Sequence, residues 1–253
     1  MSTATPVRTA LGSGFRLAPA EAVLTRRLMY EMWKVARWFW PVAVLVAVLI
    51  EAIIASVAPI TQSAWEYAAQ WPRWWLFSMG ITLIVTYLPV VVAHGVTRRA
   101  ALRALATSAV LVAATWATFM VIGHIVERFV YGRLGWPDTL TTPHLFSNGY
   151  QVLPVFTEYS VIFLAYLVSG GLIGAGYYRW GGIRGTLLLP LGLLPVAAVE
   201  SLLATGWYGA GLQELSFSRP PAAVLVIASA VALGLGWLAL YLVLRDVPIK
   251  SQK

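Results

Sequence analysis

The 253-residue chain contains no cysteine, and only 11% of its residues are charged. The absence of cysteine excludes disulfides, thiolate metal sites and cysteine nucleophiles. The shortage of charge excludes a water-soluble globule with a polar exterior, because 59% of the residues are hydrophobic and the mean hydropathy is +0.75. The sequence therefore predicts a protein whose solvent is lipid.

Sequence motifs of common catalytic sites are also missing. The chain has no G-x-x-x-x-G-K-[ST] loop for nucleotide phosphates, no H-E-x-x-H metal motif and no G-x-S-x-G nucleophile elbow. Its histidines, His94, His124 and His144, are predicted to lie apart, at the ends of two spans and in a loop. We therefore expect no enzymatic site, no metal and no cofactor held by this chain.

Long apolar segments dominate what is present. A helix needs roughly 20 apolar residues to cross a hydrocarbon core about 30 Å thick. The segments that reach this length are 38–58, 74–94, 104–126, 159–178, 186–206 and 221–244. The sequence predicts an all-α polytopic membrane protein with a six-helix transmembrane domain over 38–246. Residues 1–18 are predicted to be a flexible cytoplasmic N-terminus, and 247–253 a cytoplasmic tail.

Lys and Arg are distributed unequally between the predicted connections. Cations beside a span are retained on the cytoplasmic side during insertion. If the N-terminus is inside, 14 of the 18 cations fall in the inner pieces. We therefore expect a multi-pass protein of the cytoplasmic membrane with both termini in the cytoplasm. The net charge of +8 is then a topology signal and an attraction to anionic lipid, not a sign of nucleic-acid binding.

The segment 19–37 has the pattern of an amphipathic interfacial helix. Apolar side chains, Leu24, Leu28 and Met32 among them, fall on one side. The basic side carries Arg27, Lys34 and Arg37. We expect the basic side to contact lipid phosphates and Pro41 to turn the chain into the bilayer. The segment is either a simple membrane anchor or a lever tied to a cytoplasmic partner.

A short polar stretch, "HGVTRRAALR", separates the second and third predicted spans. Pro89 and Gly95 bring the second span to its end. The Thr97 hydroxyl can accept a backbone N–H in the first turn of a short helix. The arginines that this helix projects are Arg98, Arg99 and Arg103. Such arginines are expected either to anchor the inner side of the membrane protein or to bind a partner.

The stretch "YLPVVVAHGVTRRAALR", together with the amphipathic helix and the six spans, resembles the permease subunit of a type-2 ABC exporter. In that family the element after the second span is a coupling helix that docks on a cytoplasmic ATPase subunit, where ATP and Mg are bound. The helix before the first span is the connecting helix. The resemblance assigns docking to Gly95, Thr97, Arg98, Arg99 and Arg103, with weaker candidates at Arg27, Lys34 and Arg37. It also implies a second permease subunit, as a homodimer or related heterodimer, and short re-entrant helices within 205–221.

Two groups of glycines permit close helix approach. The first group is Gly170 and Gly174, and the second is Gly234 and Gly236. They are expected to pack helices either between two subunits or within one subunit.

Two acids, Glu51 and Glu200, lie inside predicted spans. Because a carboxylate is costly there, each is a candidate functional residue. The acids either line a pathway for a cationic amphiphile or peptide, or are satisfied by water, protonation or a hydroxyl such as Ser56 or Ser201. A proton-coupled carrier would use the same acids as relays.

The sequence thus favours the transmembrane subunit of an ATP-driven exporter of amphipathic compounds such as drugs, antimicrobial peptides or lipids, a function associated with multidrug resistance. The alternatives are an ion-coupled secondary transporter and a non-transporting scaffold subunit. The predicted outer loop, 127–158, is long and rich in aromatic residues. It is expected to be a lid or a platform for a partner.

Overall fold

The computed structural model describes residues 19–213 and 219–246, and every regular element in these ranges is helical. The helices are α1 Pro19–Val57, α2 Ala64–Ala68, α3 Gln70–Thr82, α4 Leu88–Ala93, α5 Arg98–Leu134, α6 Val152–Leu187, α7 Leu189–Gly192, α8 Leu194–Leu203, α9 Gly206–Gln213 and α10 Ala222–Leu244. A π-helical segment, Leu83–Tyr87, joins α3 to α4. The predicted N-terminus 1–18 and tail 247–253 lie outside the described residues, as does 214–218 of the predicted re-entrant segment.

Long apolar helices confirm the predicted class of all-α membrane protein. The stretches long and apolar enough to cross a membrane are Glu21–Val57, Ala64–Ala93, Arg98–Leu134, Val152–Leu187 and Ala222–Leu244. The predicted span 186–206 has a different form, because it is divided between the end of α6 and the short helices α7 and α8. Pro190 and Pro195 lie in the first turns of α7 and α8. Proline has no backbone N–H with which to continue a helix. The segment is therefore divided into short helices, although its apolar sequence is uninterrupted.

The long helices run between two ends of the molecule. We call the end that carries residues 94–97 and 181–188 the elbow end, and the end that carries residues 58–63 and 135–151 the loop end. The five long stretches alternate in direction between these ends, except that α6 and α10 run the same way because the broken segment intervenes.

The broken segment returns along α6. Gly181 has φ 78° and ψ −172°, which interrupts α6 near its end and reverses the chain. The backbone N–H of Val196 then donates to Ser169 Oγ at 3.2 Å. Further along the same pair of helices, Tyr166 contacts Glu200. This antiparallel hairpin places the end of α8 at the loop end.

The predicted connecting helix and first span form one continuous helix, α1. It has 39 residues, about 58 Å at a rise of about 1.5 Å per residue. The chain remains helical through Pro41, so the turn predicted there is not formed. The apolar stripe is confirmed, but it packs lengthwise on α5: Phe39 contacts Trp116, and Glu21 pairs with Arg103. The contact with α5 continues beyond Pro41, where Glu51 accepts the hydroxyl of Tyr131. This packing on both sides of Pro41 outweighs the loss of one helical hydrogen bond.

Glycines allow α3 and α6 to pack backbone against backbone. A Cβ atom on Gly170 would lie 2.0 Å from the carbonyl oxygen of Phe77, and one on Gly174 would lie 3.0 Å from that of Ile81. Gly236 is likewise packed within the chain, against Pro195. Three of the four predicted packing glycines therefore serve contacts inside one subunit. A Cβ atom on Gly234 would have no packing neighbour from the described residues within 4 Å.

Candidate functional site

The elbow between α4 and α5 is very short. Gly95 has φ +87°, a left-handed conformation that ends α4 and that a residue with a side chain adopts only with strain. Two residues later, Thr97 Oγ1 accepts the backbone N–H of Ala100 at 3.3 Å. The predicted cap is thus confirmed, but it begins the 37-residue helix α5 instead of a separate short helix. The reason is that Ala101 and Leu102 are already buried, so packing holds α5 from its first turn.

The three elbow arginines differ in what they contact. Arg99 is exposed and makes no hydrogen bond or ion pair within the described residues. Arg98 Nη1 donates to the carbonyl oxygen of Arg245 at 3.4 Å. Arg103 is 59% exposed, yet its Nη1 lies 3.3 Å from the buried carboxylate of Glu21. Arg99 is therefore fully available to a partner, while Arg103 also fastens α1 to α5.

Other arginines enlarge this basic region. Arg179 and Arg245 lie at the same end, where Arg179 Nη1 donates to the carbonyl oxygen of Val243 at 2.5 Å. Arg184 is exposed in the reversal after Gly181. We call the set the basic elbow surface; it comprises Arg98, Arg99, Arg103, Arg179, Arg184 and Arg245. Arg179, Arg184 and Arg245 are among the fourteen cations of the predicted inner pieces. The sequence does not place them beside the elbow, because their approach to it depends on helix packing.

The basic residues of α1 are largely paired with their own helix. Glu31 lies 2.9 Å from Arg27 and 3.2 Å from Lys34. The Arg37 guanidinium lies over the ring of Trp38, 5.8 Å from its centroid. Arg27 and Arg37 are exposed, and Lys34 is half-buried. They are accordingly weaker docking candidates than Arg98 and Arg99.

At the loop end, the connection 135–151 is fastened to the helices by two buried carboxylates and by Arg219. Glu66 accepts hydrogen bonds from the backbone N–H groups and hydroxyls of Thr141 and Thr142, at 2.7–3.1 Å. Glu158 accepts the N–H of Leu145 at 2.6 Å. Arg219 Nη1 donates to the carbonyl oxygen of His144 at 3.0 Å. The long loop is thus folded onto the ends of α2, α6 and α10.

His144 is the centre of this arrangement. Its Nδ1 lies 2.5 Å from Glu158, and its Nε2 lies 3.3 Å from Glu66. Burial lowers the pKa of His144, but its hydrogen bonds to Glu158 and Glu66 outweigh burial and raise the pKa from its usual 6.5 to about 9. An imidazolium with both N–H groups donating therefore bridges two buried carboxylates at neutral pH.

We expect the stability of the protein to fall as the pH rises through about 9. A histidine whose folded-state pKa is raised gives its full stabilisation below its unfolded pKa, about 6.5, and loses it as the folded form deprotonates. The loss is at most on the order of 3 kcal/mol, because one pKa unit corresponds to about 1.4 kcal/mol. Thermal unfolding in detergent between pH 6 and 10 measures it. A His144→Gln variant should lack this pH-dependent step; an identical profile in both proteins would contradict the assignment.

Two histidines that were expected to lie apart meet through an aromatic ring. His124 and His144 both contact Phe146, with ring centroids 5.3 and 4.6 Å away. The expectation of separate histidines is therefore wrong for this pair, since the loop folds back onto α5; His94 remains exposed at the elbow end. Across the part of the chain that is described, no group of three or more His, Asp or Glu side chains has the arrangement of a metal site.

Glu200 lies in a closed ion pair. Its Oε1 is 3.5 Å from Arg73 Nη1 and accepts the hydroxyl of Tyr166 at 2.6 Å. Both charged side chains are almost fully buried. The backbone of Gly206 covers the carboxylate so closely that a Cβ there would lie 2.1 Å from Oε1. Gly206 begins α9, which occupies part of the predicted re-entrant segment.

Glu51 lies in open surroundings that differ from those of Glu200. The hydroxyl of Tyr131 donates to its Oε1. Ser56, the hydroxyl considered from the sequence, instead donates to the carbonyl oxygen of Ile53. Glu51 lines two cavities of about 450 and 280 Å³ beside the loop-end half of α1. Glu51 and Glu200 thus have separate environments, and the residues that line these two cavities do not include Glu200.

Comparison with known proteins finds no protein family, no curated protein and no solved structure that matches this chain.

Proposed function

We propose that this chain is the membrane-spanning subunit of an ATP-binding cassette exporter of amphipathic compounds, driven by a separate ATPase subunit. The observation that carries the proposal is the elbow. A left-handed Gly95 and a capping Thr97 hold two long apolar helices only four residues apart and expose Arg99 at their junction. Such a short junction can transmit a movement of a docked subunit directly to both helices.

The basic elbow surface supports an acidic partner. Its six arginines have two described acids among them: Glu21, paired with Arg103, and Asp246, paired with Arg245. The excess of positive charge favours encounter with a negatively charged protein face and helps to fix its orientation. Because the sequence lacks a phosphate-binding loop of the G-x-x-x-x-G-K-[ST] type, the nucleotide and its Mg would be bound by that partner.

In this proposal the elbow end faces the cytoplasm, and both termini lie on that side of the cytoplasmic membrane. The excess of Lys and Arg in the connections assigned to this side supports the orientation. A second permease subunit completes the transport pathway. The three packed glycines, Gly170, Gly174 and Gly236, are already used within the chain; the second subunit would therefore contact other surfaces.

An ion-coupled secondary transporter is the second candidate, because Glu51 is a carboxylate beside a cavity. The pairing of Glu200 with Arg73 removes the second acid that such a relay would use. The exporter is favoured for this reason.

Purification of the intact complex from native membranes tests the proposal. We expect an affinity-tagged chain, extracted in mild detergent, to bring down an ATPase subunit and ATP hydrolysis activity. The matched control is the same tagged chain produced in a foreign host that lacks the partner; its preparation should hydrolyse no ATP. A native preparation that transports but contains no ATPase would favour the secondary transporter. One that neither transports nor contains an ATPase would favour a scaffold.

A further inference from the structure

Among the described acids, Glu51 has no Arg, Lys or His nitrogen beside its carboxylate. The chain has ten Asp and Glu residues, of which Glu214 lies outside the described residues. Eight of the remaining nine have an Arg, Lys or His nitrogen within 4.0 Å. The eight are Glu21, Glu31, Glu66, Glu127, Asp138, Glu158, Glu200 and Asp246. Glu51 is the exception in the described part of the chain, and it lies within a helix long and apolar enough to cross a membrane.

The internal contacts of Glu51 leave part of its carboxylate unused. Tyr131 donates one hydrogen bond to Oε1, whereas Oε2 accepts none from a described residue. By contrast, Glu127, which lines the larger cavity too, has both oxygens occupied: Oε2 accepts the hydroxyl of Ser63 and Oε1 the N–H of Trp65, each at 2.7 Å. A carboxylate in apolar surroundings is stabilised by a cation. Glu51 has no basic side chain of the described residues beside it, whereas Glu127 has the buried imidazole of His124 at 3.8 Å, which is a cation only when protonated.

The space around Glu51 is large enough for an organic cation. The two cavities share Ala47, Glu51, Ala64 and Tyr131, so the Glu51–Tyr131 contact forms part of the wall of both. The larger volume, about 450 Å³, lies within the range of ligand pockets, roughly 300–1,000 Å³. The smaller, about 280 Å³, lies just below that range. Neither cavity has an Arg, Lys or His in its lining. Nothing in the lining therefore neutralises Glu51 or repels a positive ligand.

The larger cavity has an aromatic and aliphatic lining. Trp40, Trp65, Trp136 and Tyr131 contribute aromatic rings to it. Such rings attract quaternary and protonated amines through their electron-rich faces. The cavity is bounded by α1 and α5, and its lining residues Val48 and Ile122 are 55% and 51% exposed. Because these are aliphatic side chains on the sides of long apolar helices, a ligand can enter from the hydrocarbon of a membrane.

We propose that this cleft between α1 and α5 binds an amphiphile with an alkylammonium headgroup, whose charge lies at Glu51 and whose tail packs on the aliphatic face of α1 and α5. We further infer that the bound amphiphile is a substrate of the exporter, and this part of the inference rests on the proposed function. The Glu51 carboxylate, whose Oε2 accepts no hydrogen bond from a described residue, matches one positive charge, and the apolar lining matches a hydrocarbon tail. The binding itself requires neither nucleotide nor the ATPase.

Equilibrium binding of radiolabelled dodecyltrimethylammonium tests the proposal, with the full chain in phosphatidylcholine nanodiscs and empty nanodiscs subtracted. We expect Glu51→Gln to weaken binding by about tenfold or more, because the near-isosteric amide keeps the acceptor for Tyr131 but removes the charge. Dodecanol, which has the same tail without charge, should bind both proteins equally. Val48→Trp, which fills the cleft and leaves the charge in place, should weaken both ligands.

Tyr131→Phe is the matched control for the internal hydrogen bond. It removes the hydrogen bond that Glu51→Gln keeps, and it retains the carboxylate that Glu51→Gln removes, so dodecyltrimethylammonium binding should be kept or strengthened. Equal binding of the cation to native and Glu51→Gln protein would overturn the proposal, as would equal loss in Glu51→Gln and Tyr131→Phe, which would indicate a structural role alone. Thermal unfolding of each variant confirms that it is folded. An ATPase that co-purifies with a chain unable to bind the cation would refute this site and leave the proposed function standing.

Discussion

Replacing both Arg98 and Arg99 with Glu is expected to leave the chain inserted and folded but to release its ATPase subunit. Exposed ion pairs contribute only about 0–1 kcal/mol each, and Arg99 has no contact to lose within the described residues. Against an acidic partner face, however, each reversal places like charges together. Such an opposition costs several kcal/mol of binding free energy, enough to reduce the affinity by orders of magnitude. Co-purification of the ATPase and ATP hydrolysis per permease measure the effect.

Arg133→Glu provides the control for a reversed arginine at the loop end. Arg133 is exposed and lies over the ring of Phe129, 5.1 Å from its centroid. Its reversal should leave the ATPase bound. Twelve of the fourteen cations assigned to the inner side remain in the double variant, so topology should be kept. If the Arg98→Glu/Arg99→Glu protein inserts normally and keeps both its ATPase and transport, these arginines only anchor the topology and the elbow loses its role in our proposal.

Replacing His144 with Ala is expected to cause the largest loss of stability of any single change that we predict. The side chains of His144, Glu66 and Glu158 are 1%, 7% and 0% exposed, so removal of the imidazolium leaves two carboxylates without their cation. Breaking a buried ion pair by removing one partner costs about 3–5 kcal/mol. The free energy of unfolding from denaturant titration in mixed micelles measures the loss. Limited proteolysis should also cut the 135–151 loop, which His144 helps to fasten.

A second substitution separates the loss of charge from the loss of packing. Adding Glu158→Gln to His144→Ala removes one of the unpaired charges and should restore part of the stability, whereas loss of packing alone would make the two changes additive. His94→Ala is the matched control. His94 is exposed at the elbow end, where its Nδ1 lies 2.7 Å from the carbonyl oxygen of Val90. The His94→Ala change should alter the free energy of unfolding by no more than about 0.5 kcal/mol. Native stability in His144→Ala would show that the bridge is not required.

The sequence predicts the end of a helix where that end depends only on neighbouring residues. Gly95 terminates α4 because glycine, unlike residues with a side chain, adopts the left-handed conformation there without strain. Thr97 begins α5 because its hydroxyl accepts the backbone N–H of the residue three positions later. The apolar stripe of residues 19–37 was predictable for the same reason, since helical periodicity depends on neighbours within a few residues. Pro41 shows the limit: packing on α5 keeps the helix continuous through it.

The lipid environment and the all-α class were determined by composition and hydropathy alone. Long apolar stretches must satisfy their backbone polar groups internally, so they form helices whatever they pack against. The segment 186–206 was interpreted as one span on the same grounds. Its division into α7 and α8 came from Pro190 and Pro195 together with its packing along α6, which hydropathy does not measure.

The partners of the buried polar residues were decided by tertiary structure only. Glu51 and Glu200 look alike in the sequence, as single acids in apolar spans. Helix packing gives Glu200 the guanidinium of Arg73, 127 positions away in the chain, and gives Glu51 the hydroxyl of Tyr131 beside an open cleft. Likewise, His144 becomes a bridge because the loop folds between α2 and α6. Local pattern fixes which residues are helical and which are costly in lipid, whereas their pairing depends on how distant helices are aligned, and no short-range signal encodes that alignment.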